Sequence, residues 1–137
     1  MSVVSCSIVS PEGELFSGKV EQLIADGGAG EVSISPRHAP LLATLKPGPL
    51  RLIIEGGAEE VFYASGGFLE VQPGSITVLT DVAERATDID EAEAERAKEL
   101  AEKELEGHKS DLDYALAAAQ LAEAAARLKS LQKLRKK

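Results

Sequence analysis

Apolar and polar residues alternate at the start of the chain. Val4, Cys6 and Ile8 share one parity, and Val3, Ser5, Ser7 and Val9 the other. A period of two predicts a strand over residues 3 to 9. Pro11-Glu-Gly13 signals a turn, and Leu15-Phe16 is too short to assign alone. Val20 to Ala25 reads as a strand ended by Asp26-Gly-Gly-Ala-Gly30. Two short apolar runs, Val32-Ser-Ile34 and Leu41 to Leu45, then flank Pro36-Arg-His-Ala-Pro40. Proline fixes φ near about −65° and biases its predecessor toward extended backbone, so Arg37 and His38 are expected on a stiff loop. Pro47-Gly48-Pro49 predicts a further turn. Gly56-Gly57-Ala58 and Gln72-Pro-Gly74 predict two hairpins, joining Leu50–Glu55 to Glu59–Ala64 and Phe68–Val71 to Ser75–Thr80. Many short strands with closely spaced turn signals predict a sandwich or barrel.

The pattern changes at Thr87. Proline disappears, glycine nearly so, and strong helix formers take over. Asp88 is the expected N-cap of a first helix over residues 89 to 106, with Gly107 as the residue that ends it. Ser110 and Asp113 form a capping pair for a second helix from Asp111 to the last few residues. The short Gly107-His108-Lys109 link predicts an antiparallel hairpin, with His108 solvated. Helix two carries a heptad seam of Tyr114, Ala117, Leu121, Ala124, Leu128 and Leu131. Helix one answers with Ala94, Ala97, Ala101 and Leu105. Alanine buries little area, so this seam is weakly apolar. Helix two exceeds the ~12–15 residues at which an alanine-rich helix holds with little tertiary help. Both a static hairpin and a moving part fit this pattern. The expected division is residues 1–86, a β-domain, and 87–137, a helical hairpin.

Composition narrows the function. The chain has 137 residues, 44% hydrophobic but only 4% aromatic, with a net charge of −8. An acidic chain with few aromatic rings is a poor nucleic-acid binder, which needs clustered cations and stacking platforms. No run of 18 apolar residues suggests a membrane span, and the N-terminus lacks the basic and apolar regions of a signal peptide. The single cysteine, Cys6, is expected buried on its strand, as in a soluble protein of a reducing compartment.

Asp26, Glu31 and His38 are metal-capable types, but their spacing matches no metal motif. Asp26-Gly-Gly-Ala-Gly30 lacks the Lys-Ser/Thr of a phosphate loop and precedes a strand. No nucleophile–base arrangement is recognisable, so no catalytic residue is assigned. The ends of the hairpin differ in charge. From Asp88 to Glu106 there are nine acids to three bases, whereas Lys129, Lys133, Arg135, Lys136 and Lys137 close the chain with no acid after Leu128. Helix-end cations complement the macrodipole. Lys129 and Lys133 lie too far in for that role and suit an acidic partner surface or the acidic first helix.

Several segments together resemble the epsilon-subunit family of bacterial F-type ATP synthases, the delta subunit of mitochondria. They are Ser10-Pro-x-Gly-x-x-Phe16, Gly30-Glu31-x-x-Ile34-x-Pro36-x-His-Ala-Pro-Leu-Leu42 and Lys46-Pro-Gly48, followed by Tyr63-x-Ser-Gly-Gly-x-Leu-Glu-Val71, Val78-Leu-x-Asp81 and Asp88-Ile-Asp-Glu91. The resemblance spans the whole chain. It implies a β + α protein, a two-sheet β-sandwich followed by an antiparallel two-helix hairpin. It further implies a non-catalytic rotor subunit of the central stalk, coupling proton flow to ATP synthesis. The implied partners are the gamma subunit, the c-ring and the alpha and beta subunits. Glu31 and His38 match the family's ring-facing positions. Its mobile hairpin restrains ATP hydrolysis, and Lys129, Lys133, Arg135, Lys136 and Lys137 are the matching inhibitory cations. The implied location is the cytoplasmic side of a bacterial inner membrane, peripheral, with the isolated chain a monomer.

Some relatives bind ATP through Ile/Leu-Asp-x-x-Arg-Ala and further arginines on both helices. Here the segment reads Ile89-Asp90-Glu91-Ala92-Glu93-Ala94, with Glu93 reversing the expected charge. Leu116 and Glu123 replace arginines on helix two, leaving Asp90 and Arg127 as the matching positions. The resemblance therefore implies little or no ATP binding and no other cofactor. An alternative reading of the same pattern is a free β-sandwich ligand-binding module with a helical dimerisation tail.

Overall fold

The computed structural model describes residues 2–107 and 110–135. Strands come first: β1 Val4–Ser10, β2 Gly13–Gly27, β3 Gly30–Ile34, β4 Leu41–Ile54, β5 Glu59–Ala64, β6 Gly67–Gln72, β7 Ser75–Leu79 and β8 Ala83–Arg85. A 3₁₀ turn at Ala86–Asp88 leads into α1, Glu91–Glu106, and α2, Asp111–Arg135.

Two long strands organise the β-domain. The first half of β2 pairs with β1, from Ser10↔Gly13 to Val4↔Val20, and its second half pairs with β3 and β4. β4 likewise pairs with β6 over Leu41–Leu45 and with β5 over Gly48–Ile53. Each strand therefore runs through both sheets, and the β2–β4 pairing closes the ring β2-β1-β7-β6-β4. Apart from the parallel β1–β7 pair, neighbours are antiparallel. The sandwich expected from the turn spacing is thus stitched along two shared strands.

Pairing rather than local chemistry explains two departures from the sequence reading. Leu15-Phe16, unassigned alone, is the start of β2, continuous with Val20–Ala25. Phe16 packs edge-on to Phe62 at 5.8 Å between ring centroids, with the Arg85 guanidinium 5.1 Å from the Phe62 ring. The turn expected at Pro47-Gly48-Pro49 is instead the middle of β4. Pro47 falls between the registers Leu45↔Gly67 and Gly48↔Ala64, where β4 changes partner and no ladder bond is lost. The short β8, with Ala83–Arg85 paired to Phe62–Ala64, has no signal of its own in the sequence.

The core is aliphatic. Ile8, Val20, Leu23, Ile34, Leu52 and Val78 are fully buried, with Phe62 as its aromatic member. The Ser65-Gly-Gly67 break is sterically required. Gly67 has φ +134°, and a Cβ there would lie 2.0 Å from the Leu79 carbonyl oxygen. β6 and β7 approach too closely at that point for any side chain.

The hairpin begins later than expected. Asp88 ends the 3₁₀ turn, and Ile89 stays extended at φ −76°, ψ 127°, to bury its side chain. Asp90 therefore becomes the N-cap, its carboxylate accepting from the Glu93 amide at 3.2 Å. Ser110 caps α2 as expected, accepting from the Asp113 amide at 3.1 Å. The helices pack antiparallel, the start of α1 lying beside the end of α2. Ala94 and Ala101 of α1 and Ala117 and Ala124 of α2 are buried, as the seam predicts, but Ala97 is exposed and Tyr114 is 49% exposed. His108 and Lys109 of the link lie outside the described residues.

Cys6 is buried, as its strand position predicts, and burial pushes its thiol up from 9.0 to about 12. The neutral thiol is what the fold accommodates. Its contribution is fully present below about pH 9 and is lost as pH rises toward about 12, because the unfolded chain gives up this proton first. Iodoacetamide at pH 8 is expected to leave the native thiol unmodified and to alkylate it completely in denaturing urea. Rapid native alkylation would contradict this burial.

Candidate functional site

The loop around His38 is built by a β-turn. The His38 amide donates to the Ser35 carbonyl at 3.2 Å, with Pro36 and Arg37 as the central residues. Arg37 adopts φ +68°, so the turn has proline first and a positive φ second, the type II arrangement in which glycine usually takes the second place. It is the one non-glycine residue with positive φ among the described residues. His38 Nδ1 lies 2.7 Å from the Ala39 carbonyl, which orients the ring on an exposed surface. The predicted stiffness of this loop thus has a hydrogen-bonded basis.

Glu31 is also exposed, one residue into β3 and opposite Asp26 of β2. It stands at the hairpin end of β3, whereas His38 lies four residues beyond the other end. No hydrogen bond or ion pair joins them among the described residues. Glu31 does reach Arg51 electrostatically. The guanidinium is held more firmly charged by its 2.6 Å bond to Glu59 and by the charges of Glu59 and Glu31.

The second surface is where α2 meets the sandwich. β5 is buried on both faces: Phe62 and Ala64 point into the sandwich, Val61 and Tyr63 outward. Val61, Tyr63, Ala86 and Ile89 form a small separate cluster with Ala126 and Leu131 of α2, with Leu128 and Leu134 at its margin. Ala126, Ser130 and Leu134 recur every four residues and make a stripe. Ser130 is fully buried and satisfies its hydroxyl by donating to the Ala126 carbonyl at 3.0 Å. The heptad seam included Leu128 and Leu131 of this cluster but missed Ala126 and Ser130, because alanine and serine carry little apolar signal.

Two ion pairs flank the stripe. Arg127 Nε donates to Glu84 Oε1 of β8 at 2.7 Å, and Lys129 Nζ donates to Asp26 Oδ2 of β2 at 2.9 Å. Residues two apart on a helix project about 200° from each other, so the pairs grip opposite sides of α2. Gly48 leaves room for one of them. A Cβ at Gly48 would lie 2.9 Å from the same Asp26 oxygen that accepts from Lys129.

Of the predicted site residues, Lys129 and Arg127 are thus engaged with the sandwich, and Asp90 is engaged as the cap of α1. Lys133 is half-buried near the end of α2, and Arg135 is its last residue. Lys136 and Lys137 lie outside the described residues. Asp26 and Glu84 were not singled out as partners of the hairpin. Their pairings join positions 103 and 43 residues apart, a separation at which no local pattern operates.

Tyr63 is the least satisfied group in this interface. It is fully buried, and its hydroxyl has no hydrogen-bond partner among the described residues. Desolvation raises its pKa, with Glu123 and Glu84 adding to the rise and Arg127 opposing it. An unpaired buried hydroxyl costs roughly 1–3 kcal/mol, which the isosteric ring without it does not incur. Tyr63→Phe is therefore expected to stabilise the chain by about 1 kcal/mol in urea denaturation. A loss of similar size would mean that the hydroxyl is paired.

Comparison with known proteins accounts for both parts of the molecule. The family description "ATP synthase, Delta/Epsilon chain, beta-sandwich domain" matches residues 3–86. Its companion, "ATP synthase, Delta/Epsilon chain, long alpha-helix domain", matches residues 87–132. Among solved structures, a chain of the Euglena gracilis mitochondrial ATP synthase, from its OSCP/F1/c-ring assembly, superposes with a TM-score of 0.85 at 18% identity. That match covers 100% of this chain and 83% of the other. A chain of the Tetrahymena thermophila mitochondrial ATP synthase, from its central stalk/c-ring structure, gives a TM-score of 0.64 at 16% identity over 93% and 95%. At these identities the structures establish the shared fold. With both family descriptions in chain order over nearly its whole length, the chain belongs to the ATP synthase delta/epsilon family.

Proposed function

We propose that this chain is a non-catalytic rotor subunit in the central stalk of an F-type ATP synthase. In this reading it couples proton flow to ATP synthesis through its sandwich and restrains ATP hydrolysis through its hairpin. The observation that carries it is the head-to-tail match of both modules to the delta/epsilon family. Similar chains in assemblies described as OSCP/F1/c-ring and as central stalk/c-ring support the stalk position. The sandwich meets the gamma subunit and the c-ring, with Glu31 and His38 on the ring-facing surface. A torque-bearing joint needs a stiff contact, and the hydrogen-bonded turn at Ser35–His38 supplies one. Lys129, Lys133, Arg135, Lys136 and Lys137 meet acidic surfaces of the beta subunits when α2 leaves the sandwich and enters the alpha/beta catalytic sector.

ATP binding by the chain itself is no part of this role. Glu93 puts a negative charge where binding relatives carry arginine, Asp90 is spent on capping α1, and Arg127 is paired with Glu84. The subunit would sit peripherally, on the cytoplasmic side of a bacterial inner membrane. No described helix is long and apolar enough to cross one. Isolated, it would be a monomer, in contrast to a ligand-binding module with a dimerising tail.

The test is reconstitution. A catalytic sector stripped of its own small stalk subunit receives the full chain or a version ending at Thr87. Both are expected to bind, and only the full chain to slow ATP hydrolysis. Binding by both without slowing would remove the inhibitory role, and binding by neither would remove the stalk assignment.

A further inference from the structure

Lys129 carries two demands. The proposed function sends it to an acidic partner surface, yet in the structure it is bonded to Asp26 Oδ2 at 2.9 Å. Arg127, two residues earlier, is bonded to Glu84 Oε1 at 2.7 Å. From this arrangement we infer that Asp26 and Glu84 clasp α2 on the sandwich, Asp26 by competing with an acidic protein partner for Lys129 and Glu84 by holding Arg127 beside it. The inference deepens the inhibitory reading of the hairpin and rests on it.

Three observations support the assignment. First, the pairs come from separate elements, Asp26 on β2 and Glu84 on β8, and they brace opposite sides of one helix. Such bracing fixes the rotation of α2 about its axis, which a stripe of alanine and serine defines poorly. Second, the backbone accommodates one pair. Gly48 leaves open the space beside the bridging oxygen of Asp26 that a side chain would fill. Third, the apolar part of the interface is slight. α2 contributes Ala126 and Leu131 as its buried members, and Tyr63 meets them with an unpaired hydroxyl. Beside this cluster and the packing of α2 on β4, the two partly exposed ion pairs are the polar contacts that tie the helix to the sandwich. Partly exposed pairs are also screened by salt, so the clasp is releasable.

The competition has a definite direction. Removing an acid from the sandwich should favour the undocked helix and leave its cations available, so inhibition should deepen. Removing a cation would weaken docking and partner binding together, which makes the acids the informative positions.

The experiment uses the full chain with Cys6→Ser and nitroxide labels at Glu55→Cys and Leu112→Cys, both exposed positions. Distance distributions by pulsed electron resonance report the docked and undocked populations. Asp26→Asn and Glu84→Gln are each expected to raise the undocked population about two- to five-fold, the range for single exposed pairs. Addition of 1 M NaCl should shift the parent chain the same way and the double variant much less. Exchanging the charges, Asp26→Lys with Lys129→Asp, should restore docking. Unchanged distributions in both single variants would overturn the inference. The two acids lie on different strands, so misfolding of one variant leaves the other as the test. Each variant is then added to the stripped catalytic sector. Deeper inhibition by the acid variants supports the competition. Shifted distances with hydrolysis unslowed by any form would leave the clasp standing and remove the inhibitory role beneath it.

Discussion

A single helix, α2, has to satisfy two surfaces at once, and most of the side chains it buries fully are alanine or serine. Its α1-facing side buries Ala117 and Ala124, and its sandwich-facing side buries Ala126, Ser130 and one larger residue, Leu131. Small residues let three layers approach closely but remove little apolar area from water. The arrangement of the C-terminal third follows from this economy. α1 relies on α2 as its main neighbour, and α2 relies on β4, on a patch of β5 and on ion pairs at its flanks. At 25 residues, α2 is long enough to persist as a helix when that patch is vacated.

The sandwich is built on the opposite principle. β2 and β4 run through both sheets and pair with each other, so its strands share one closed hydrogen-bond network. Its core is made of fully buried branched residues and Phe62, and its closest crossing is reserved for Gly67. Even its exposed loop at Ser35–His38 is hydrogen-bonded across a turn, at the cost of a left-handed Arg37. A sandwich closed by hydrogen bonds thus carries a hairpin that meets it through small side chains and surface charges.

Much of this was legible in the sequence, for physical reasons that also explain what was not. The alternation Val4, Cys6, Ile8 survives because β1 keeps one face to the core along its length. β2 and β4 hid their continuity, because a strand that passes from one sheet to the other interrupts its own periodicity. Pro47-Gly48-Pro49 therefore looked like a turn while serving as the middle of a strand. The Asp88 cap was displaced to Asp90 because burying Ile89 outweighs an earlier start to the helix. The family-matching motifs supplied the proposed ring-facing and tail residues by position. The partners Asp26 and Glu84 stayed invisible, since only the folded chain brings Asp26 to Lys129 and Glu84 to Arg127. Gly48 looked like turn punctuation, whereas its missing side chain makes room for Asp26.

The central claim is that the hairpin is a separately releasable layer on a cooperative sandwich. Native-state hydrogen exchange as a function of denaturant tests it most directly, because it resolves sub-global opening from global unfolding. The account predicts that amides of α1 and α2 exchange through an opening of lower free energy and weaker denaturant dependence than those of β1, β2 and β4. Protection of α2 equal to that of the β-core, with the same denaturant dependence, would mean that the helices leave only when the whole chain unfolds, and would contradict it.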